Sequence, residues 1–362
     1  MLDLGGNGRK IIHIILENFP REAYAVVSIG DPPVKAKLHI DCGSDLTWVL
    51  HSPRYGYNPS RSSSFNYRIC AGLYKSPYVR KSKENGKCNY FQLLGDDAIY
   101  EGTLGSETFT FENVDGGLGM FNNVLFGFGK AHLMEQLGSG TLGLNVGKLS
   151  ILKHFGKKFS ICIGNFIDHR HGKHFLALGD DAVFGGNFLS LDTKDNDYRI
   201  NLSSIIIDGE SLGIENVLSK AITILDTGTS TITLAKIVYH VFTEKIKKKM
   251  SDAGYVESNM YEDDRMICYM KKIPEHEKLQ VTFKIDEEIV KMKTTEVFVQ
   301  TSKNHFCLSV LESPIGKNII GLPLFQGRNI GFDVPNEKVY IKEIECHKLD
   351  DNYKDELDHP NP

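Results

Sequence analysis

The sequence predicts a mainly β protein built of two related lobes, and three observations carry that prediction. Short apolar runs such as EAYAVVSIG and ETFTFENV alternate in the manner of half-buried strands. Helical periodicity is scarce. One grammar, an apolar run ending in Asp and followed by a small residue, Gly and a hydroxyl, occurs twice, as LHIDCGSDLTWVL at 38–50 and ITILDTGTSTITL at 222–234.

Each element follows in turn. An ionised Asp at the mouth of a buried strand loses hydration worth several kcal/mol unless partners offset it, so Asp41 reads as part of a site, although Asp and Gly also start ordinary turns. Asp226 repeats it 185 residues later. Downstream of the first loop GTLGLNV places Gly143 at 102 residues from Asp41, and downstream of the second NIIGLPL places Gly321 at 95 residues from Asp226. Two signals recurring in one order at similar spacing predict lobes of similar size. We place the N-terminal lobe at 22–185 and the C-terminal lobe at 186–346, with an N-terminal extension at 1–21 and a polar tail at 347–362.

The clearest helix is LAKIVYHVFTEKIKKKM at 234–250, where Leu234, Ile237, Val238, Val241, Phe242 and Ile246 are expected on one face. Its lysines at 245 and 247–249 suit a solvated C-terminal end better than a nucleic-acid contact.

Composition narrows the function classes. A chain of 362 residues can bury about three quarters of its unfolded surface, ample for two domains. With 42 basic and 46 acidic residues the net charge is −4, too small to steer the chain onto nucleic acid or an anionic membrane. No apolar run reaches the ~18 residues of a transmembrane segment, and MLDLGGNGRK lacks the basic start and apolar centre of a signal peptide. The seven cysteines, at 42, 70, 88, 162, 268, 307 and 346, include no CxxC pair, which argues against a zinc site and leaves one cysteine over.

Weaker motifs have plainer readings. GSGTLG at 138–143 spells GxGxxG without the surrounding strand-helix-strand unit of a nucleotide site. His169, His171 and His174 read as a polar surface loop rather than a metal cluster. Cys42 as a nucleophile would need a base that His39 is not placed to supply. Asn201-Leu202-Ser203 is a glycosylation sequon, usable only in a secreted chain.

With both Asp loops placed, the chain resembles the pepsin-like aspartic proteinases, and among them the plant nepenthesin-like branch, from about residue 22 to about 346. The supporting stretches are SIGDPP, DCGSDLTWV, GTLGSETFTF, SGTLGLNVGKLSIL, FSICIG, ILDTGTS, CYMKK, FCLSV and NIIGLPLFQGRNIGFD. The resemblance implies a bilobal pepsin-like acid-protease fold with an active-site cleft between the lobes. It implies an aspartic endopeptidase working at acid pH, with Asp41 and Asp226 as the catalytic dyad, no cofactor and no metal, acting as a monomer on peptide or protein substrates.

Supporting roles come from the same resemblance. Gly43 and Gly228 leave room for the loops to approach, Ser44 and Thr229 orient the outer carboxylate oxygens, and Trp48 packs under the flap. In the family a hydroxyl directly after each catalytic Asp reaches the backbone of the opposite loop; Thr227 fits that role and Cys42 does not, so one inter-lobe hydrogen bond is expected to be weakened by about 1 kcal/mol. The flap is expected at Leu94, Gly95, Asp96 and Asp97, where Leu94 replaces the family's tyrosine and Asp97 adds a charge expected to raise the dyad's upper pKa.

The nepenthesin-like pattern pairs Cys70 with Cys88, Cys162 with Cys346 and Cys268 with Cys307, leaving Cys42 free. Three disulfides, worth about 2 to 4 kcal/mol each, imply the secretory pathway, extracellular or vacuolar, although no signal peptide or prosegment is recognisable in the sequence. The altered flap and Cys42 keep a second reading open, a proteinase-like binding or inhibitor protein with impaired catalysis.

Overall fold

In a computed structural model of the chain the described residues are 10–18, 21–51, 56–68, 70, 79–82, 86–93, 99–132, 139–164, 173–258, 265–270 and 279–349. The expected flap residues 94–98, His169 and His171, and most of the polar tail lie outside them. The fold is mainly β and bilobal, and the repeated grammar of the sequence reappears as repeated topology.

In the first lobe β1 (Val34–Asp41) buries Ala36, Leu38 and Ile40 on one face by strict alternation and brings Asp41 to its C-terminal end. After the loop the chain returns as β2 (Trp48–Leu50), and β3 (Gly140–Gly143) inserts between them. β3 runs parallel to β1, with Gly143 opposite Asp41, and antiparallel to β2, with Thr141 opposite Trp48. The second lobe repeats this with β4 (Thr223–Leu225), β5 (Ile232–Leu234) and β6 (Asn318–Ile320). There β6 lies parallel to β4, with Ile320 opposite Leu225, and antiparallel to β5. Each return strand also gains a parallel outer neighbour, Leu118–His132 beside β2 and Val310–Glu312 beside β5. GSGTLG is thus largely a sheet strand, buried from Gly140 to Gly143.

Beneath the two loops one sheet joins the lobes. Lys158–Ile163 pairs with Arg328–Asp333 from the other end of the sequence and with Phe175–Leu178, which in turn pairs with Ile11–Asn18. The segment set apart as an N-terminal extension therefore supplies a strand, Ile11–Asn18, hydrogen-bonded on both sides. Its apolar alternation, with Ile11, Ile12 and Ile14 buried, is what gives it a place in the sheet.

The long helix spans Lys236–Asp252 and buries Val238, Phe242, Thr243, Ile246 and Met250. Two residues expected on its buried face are elsewhere: Leu234 ends β5, and Ile237 is 61% exposed because the face turned to the core begins at Val238. The lysine run is a solvated end held by ion pairs, Lys249 to Asp208 at 3.5 Å and Glu210 at 3.3 Å, and Lys247 to Glu257 at 3.1 Å. No helix among the described residues is long and apolar enough to cross a membrane.

The three expected disulfides are present, Cys70–Cys88, Cys162–Cys346 and Cys268–Cys307, and Cys42 is free and buried. Cys162–Cys346 ties the linking sheet to the end of the second lobe across 184 residues, and Cys268 faces Cys307 directly across two paired strands.

A buried charge network also crosses between the lobes. Arg21, at the start of the first lobe's strand Arg21–Ile29, donates to the carbonyl oxygens of Thr295, Glu296 and Phe298 at 2.9–3.0 Å, capping the short helix Thr294–Val297 of the second lobe. Arg328 donates to the Glu296 carboxylate at 3.0 Å and to the carbonyls of Leu324 and Gln326. Burial lowers Arg21 to about 10, which leaves it charged at every pH below that. Arg21→Ala removes three donors from buried carbonyls and should lower stability by about 3 kcal/mol in urea unfolding with the disulfides intact.

Candidate active site

The two Asp loops meet where β1 and β4 end. Asp41 is buried, Asp226 is partly buried, and their side chains hydrogen-bond to each other. Each carboxyl is held by its own loop in the same way. The Gly43 N–H donates to Asp41 Oδ1 at 2.8 Å and Gly228 N–H to Asp226 Oδ1 at 2.9 Å. The Ser44 hydroxyl donates to Asp41 Oδ2, and the Thr229 hydroxyl to Asp226 Oδ2 at 2.8 Å.

The glycines have a sharper reason than backbone approach. A Cβ on Gly228 would stand 2.5 Å from Asp41 Oδ1, and one on Gly43 would stand 2.9 Å from the Asp226 carboxyl carbon. Each loop thus leaves the space that the opposite carboxyl fills. Gly321 is equally constrained, since a Cβ there would lie 2.1 Å from the Thr229 carbonyl oxygen.

Burial raises both carboxyls, because the charged form loses hydration that hydrogen bonds replace only in part. The neighbouring Asp41 charge adds to burial in pushing Asp226 up to about 7. Below about 7 the pair therefore holds at least one proton, and that proton belongs to the pair.

The inter-lobe contact keeps the expected weakening at Cys42 but corrects its role, since the thiol does occupy the hydroxyl's place. Thr227 Oγ1 accepts from the Cys42 N–H at 3.0 Å and donates to the Ile40 carbonyl at 2.9 Å. Reciprocally, Cys42 Sγ accepts from the Thr227 N–H at 3.2 Å and donates to the Leu225 carbonyl at 3.6 Å. The thiol fills the place of a hydroxyl, with bonds lengthened by the larger sulfur radius. Cys42 is fully buried, and burial followed by the Asp226 charge pushes its thiol well above the ordinary range, so it stays protonated and can donate. That position excludes a nucleophilic role.

Trp48 is buried, with Tyr100 lying 4.0 Å from it between ring centroids. Its indole Nε1 is buried with no hydrogen-bond partner among the described residues. Two further site residues escaped sequence reasoning. The Tyr198 hydroxyl donates to the Leu144 carbonyl at 2.6 Å, while its own carbonyl accepts from Leu225 N–H at 2.9 Å, so one residue ties the segment after β3 to β4. Asn145 donates from its side chain to the Gly43 carbonyl at 3.1 Å. Neither carries a local signal, although Asn145 lies inside the repeated GTLGLNV segment.

His174 accepts a hydrogen bond from Gly164 N–H at 2.9 Å, and burial lowers it to about 4, so it is a satisfied core histidine. The described residues contain no His, Cys, Asp and Glu group able to hold a metal. The contact at Cys42 yields a test. Cys42→Ala should lower stability by about 2 kcal/mol in urea unfolding, because it leaves the Leu225 carbonyl and the Thr227 N–H buried without partners, while Cys42→Thr should lose less.

Comparison with known proteins places this geometry. The family models described as xylanase inhibitor N-terminal and xylanase inhibitor C-terminal match residues 24–180 and 197–343. Among curated proteins, the aspartyl protease UND of Arabidopsis thaliana is 28% identical over 339 residues, which cover 89% of this chain and 84% of that protein. Nepenthesin-2, an aspartic proteinase of Nepenthes gracilis, is 24% identical, with 88% of this chain and 77% of that protein covered. Among solved structures, basic 7S globulin from soybean superposes with a TM-score of 0.75 at 17% identity, over 94% of this chain and 98% of its own. The structure of edgp does so with a TM-score of 0.76 at 16% identity, over 95% and 98%. Those two likenesses establish the two-lobed fold. With the family models spanning both lobes and the paired Asp loops meeting between them, the chain belongs to the pepsin-like aspartic proteinase family, with plant aspartic proteases, the nepenthesins included, among its relatives.

Proposed function

We propose that this protein is an aspartic endopeptidase that hydrolyses peptide bonds at acid pH with Asp41 and Asp226 as its dyad. One observation carries the reading: two hydrogen-bonded carboxyls, each fixed by a glycine N–H and a hydroxyl of its own loop, face each other between the lobes. The ionised partner takes a proton from a water molecule placed between them. The protonated partner donates to the carbonyl oxygen of the substrate peptide, so water adds without a covalent enzyme intermediate. Ser44 and Thr229 keep the outer oxygens engaged, which leaves the inner ones for the reaction.

The three disulfides and the plant protease relatives support a secretory address, extracellular or vacuolar, and the protease relatives support a peptide or protein as substrate. A second reading, a proteinase-like binding protein with impaired catalysis, draws on the xylanase-inhibitor description of the matching family models and on Leu94 in the expected flap.

Digestion of an unfolded protein from about pH 3 to about pH 9 separates the two. Cleavage should fall as pH rises through about 7, where the pair loses its shared proton, and should vanish in Asp41→Asn and Asp226→Asn. Absence of cleavage by the disulfide-bonded protein at every pH would favour the binding protein. The same shift has a consequence for folding. Asp226 has a folded value of about 7 against an ordinary 3.8, so the folded state holds a proton that the unfolded Asp releases between those values. Its contribution to stability should therefore decline as pH rises from about 4 to about 7 and level off above, and Asp226→Asn should flatten that part of the urea-midpoint profile.

A further inference from the structure

We infer that Asn201 is an N-glycosylation site of the folded, secreted protein. The inference rests on the secretory reading above. Asn201-Leu202-Ser203 satisfies the acceptor pattern, whereas the other Asn with a hydroxyl two residues on, in Asn58-Pro59-Ser60, is excluded by its proline. The structure separates the three sequon residues by what each side chain does. Leu202 begins the strand Leu202–Ile207 and is 2% exposed. The Ser203 hydroxyl donates to the carbonyls of Lys284 at 3.0 Å and Asp286 at 3.3 Å. Asn201 is exposed, and its side-chain amide makes no hydrogen bond among the described residues, while its backbone carbonyl is anchored by the Asp286 N–H at 2.9 Å. A firmly held backbone thus presents a free amide to solvent.

Position makes the modification compatible with a working cleft. Arg199–Ile200 runs antiparallel to β4, with Ile200 opposite Thr223, so Asn201 lies beyond the Thr223 end, away from Asp226. Three residues of extended strand, about 10 Å, separate Thr223 from Asp226. A glycan at Asn201 would therefore attach at the end of this strand pair remote from Asp226.

The reaction is a glycosyl transfer carried out by the host. The side-chain nitrogen of Asn201 forms a bond to the anomeric carbon of a lipid-pyrophosphate-linked oligosaccharide, the bond from that carbon to the pyrophosphate oxygen breaks, the lipid pyrophosphate leaves and the amide gives up one proton. No oxidant or reductant is needed.

The test is to direct the full chain into the secretory pathway of insect or mammalian cells with an added leader and to analyse both medium and microsomes. Peptide-N-glycosidase should increase the mobility of the disulfide-bonded chain and convert Asn201 to Asp in its peptide. Asn201→Gln and Ser203→Ala should abolish the shift, Ser203→Thr should retain it, and Asn201→Gln should leave the pH profile of proteolysis unchanged. Disulfide-bonded chain recovered from the lumen with Asn201 unmodified overturns the proposal. A glycosylated chain without proteolytic activity would leave it standing and count against the endopeptidase reading alone.

Discussion

Two carboxyl groups can face each other in a partly buried cleft only if each loop is anchored to the opposite lobe, and the exchange between Thr227 and Cys42 is that anchor. Each residue accepts from the other's backbone N–H and donates to a carbonyl one position before the other's Asp, Ile40 in one lobe and Leu225 in the other. The positions of Asp41 and Asp226 follow from this. So do Gly43 and Gly228, since once the loops are drawn together there is space for the opposing carboxyl and none for a methyl group. Burial and proximity then raise the affinity of the pair for a proton, which is a consequence of how the lobes are fastened.

A thiol in that anchor changes its terms without dissolving it. Sulfur accepts and donates at longer distance than oxygen, and the two contacts at Cys42 are 3.2 and 3.6 Å against 3.0 and 2.9 Å at Thr227. Burial keeps the thiol protonated and therefore available as a donor. The asymmetry is one of strength within a preserved geometry, and Tyr198 adds a third tie by linking Leu225 to Leu144.

Away from the cleft the lobes are joined by very different means. The shared sheet uses backbone hydrogen bonds between Lys158–Ile163 and Arg328–Asp333, the Cys162–Cys346 bond closes the same region covalently, and Arg21 reaches across to the short helix Thr294–Val297. These links set the separation of the lobes from below, whereas the Thr227–Cys42 exchange sets it at the site itself.

The sequence alone determined the parts whose information is local. Asp41 and Asp226 stand in contiguous segments of the same grammar, Gly143 and Gly321 follow in the same order, and the alternation of Ala36, Leu38 and Ile40 marks the strand that delivers Asp41. The three cysteine pairs were legible through the family pattern. Only the tertiary structure decided that Cys42 takes the place of a hydroxyl, because a thiol's worth as a partner depends on how closely another loop approaches, and that loop is 185 residues away. The same reason hid Tyr198 and Asn145, whose partners are carbonyl oxygens of other segments, and the strand Ile11–Asn18, whose place depends on Phe175–Leu178. Ile237 differs for a more local cause: the helix begins after β5 at Lys236, and that start fixes the phase of its buried face. Local pattern specifies which residues are needed, and the distance between chain segments decides which atoms they meet.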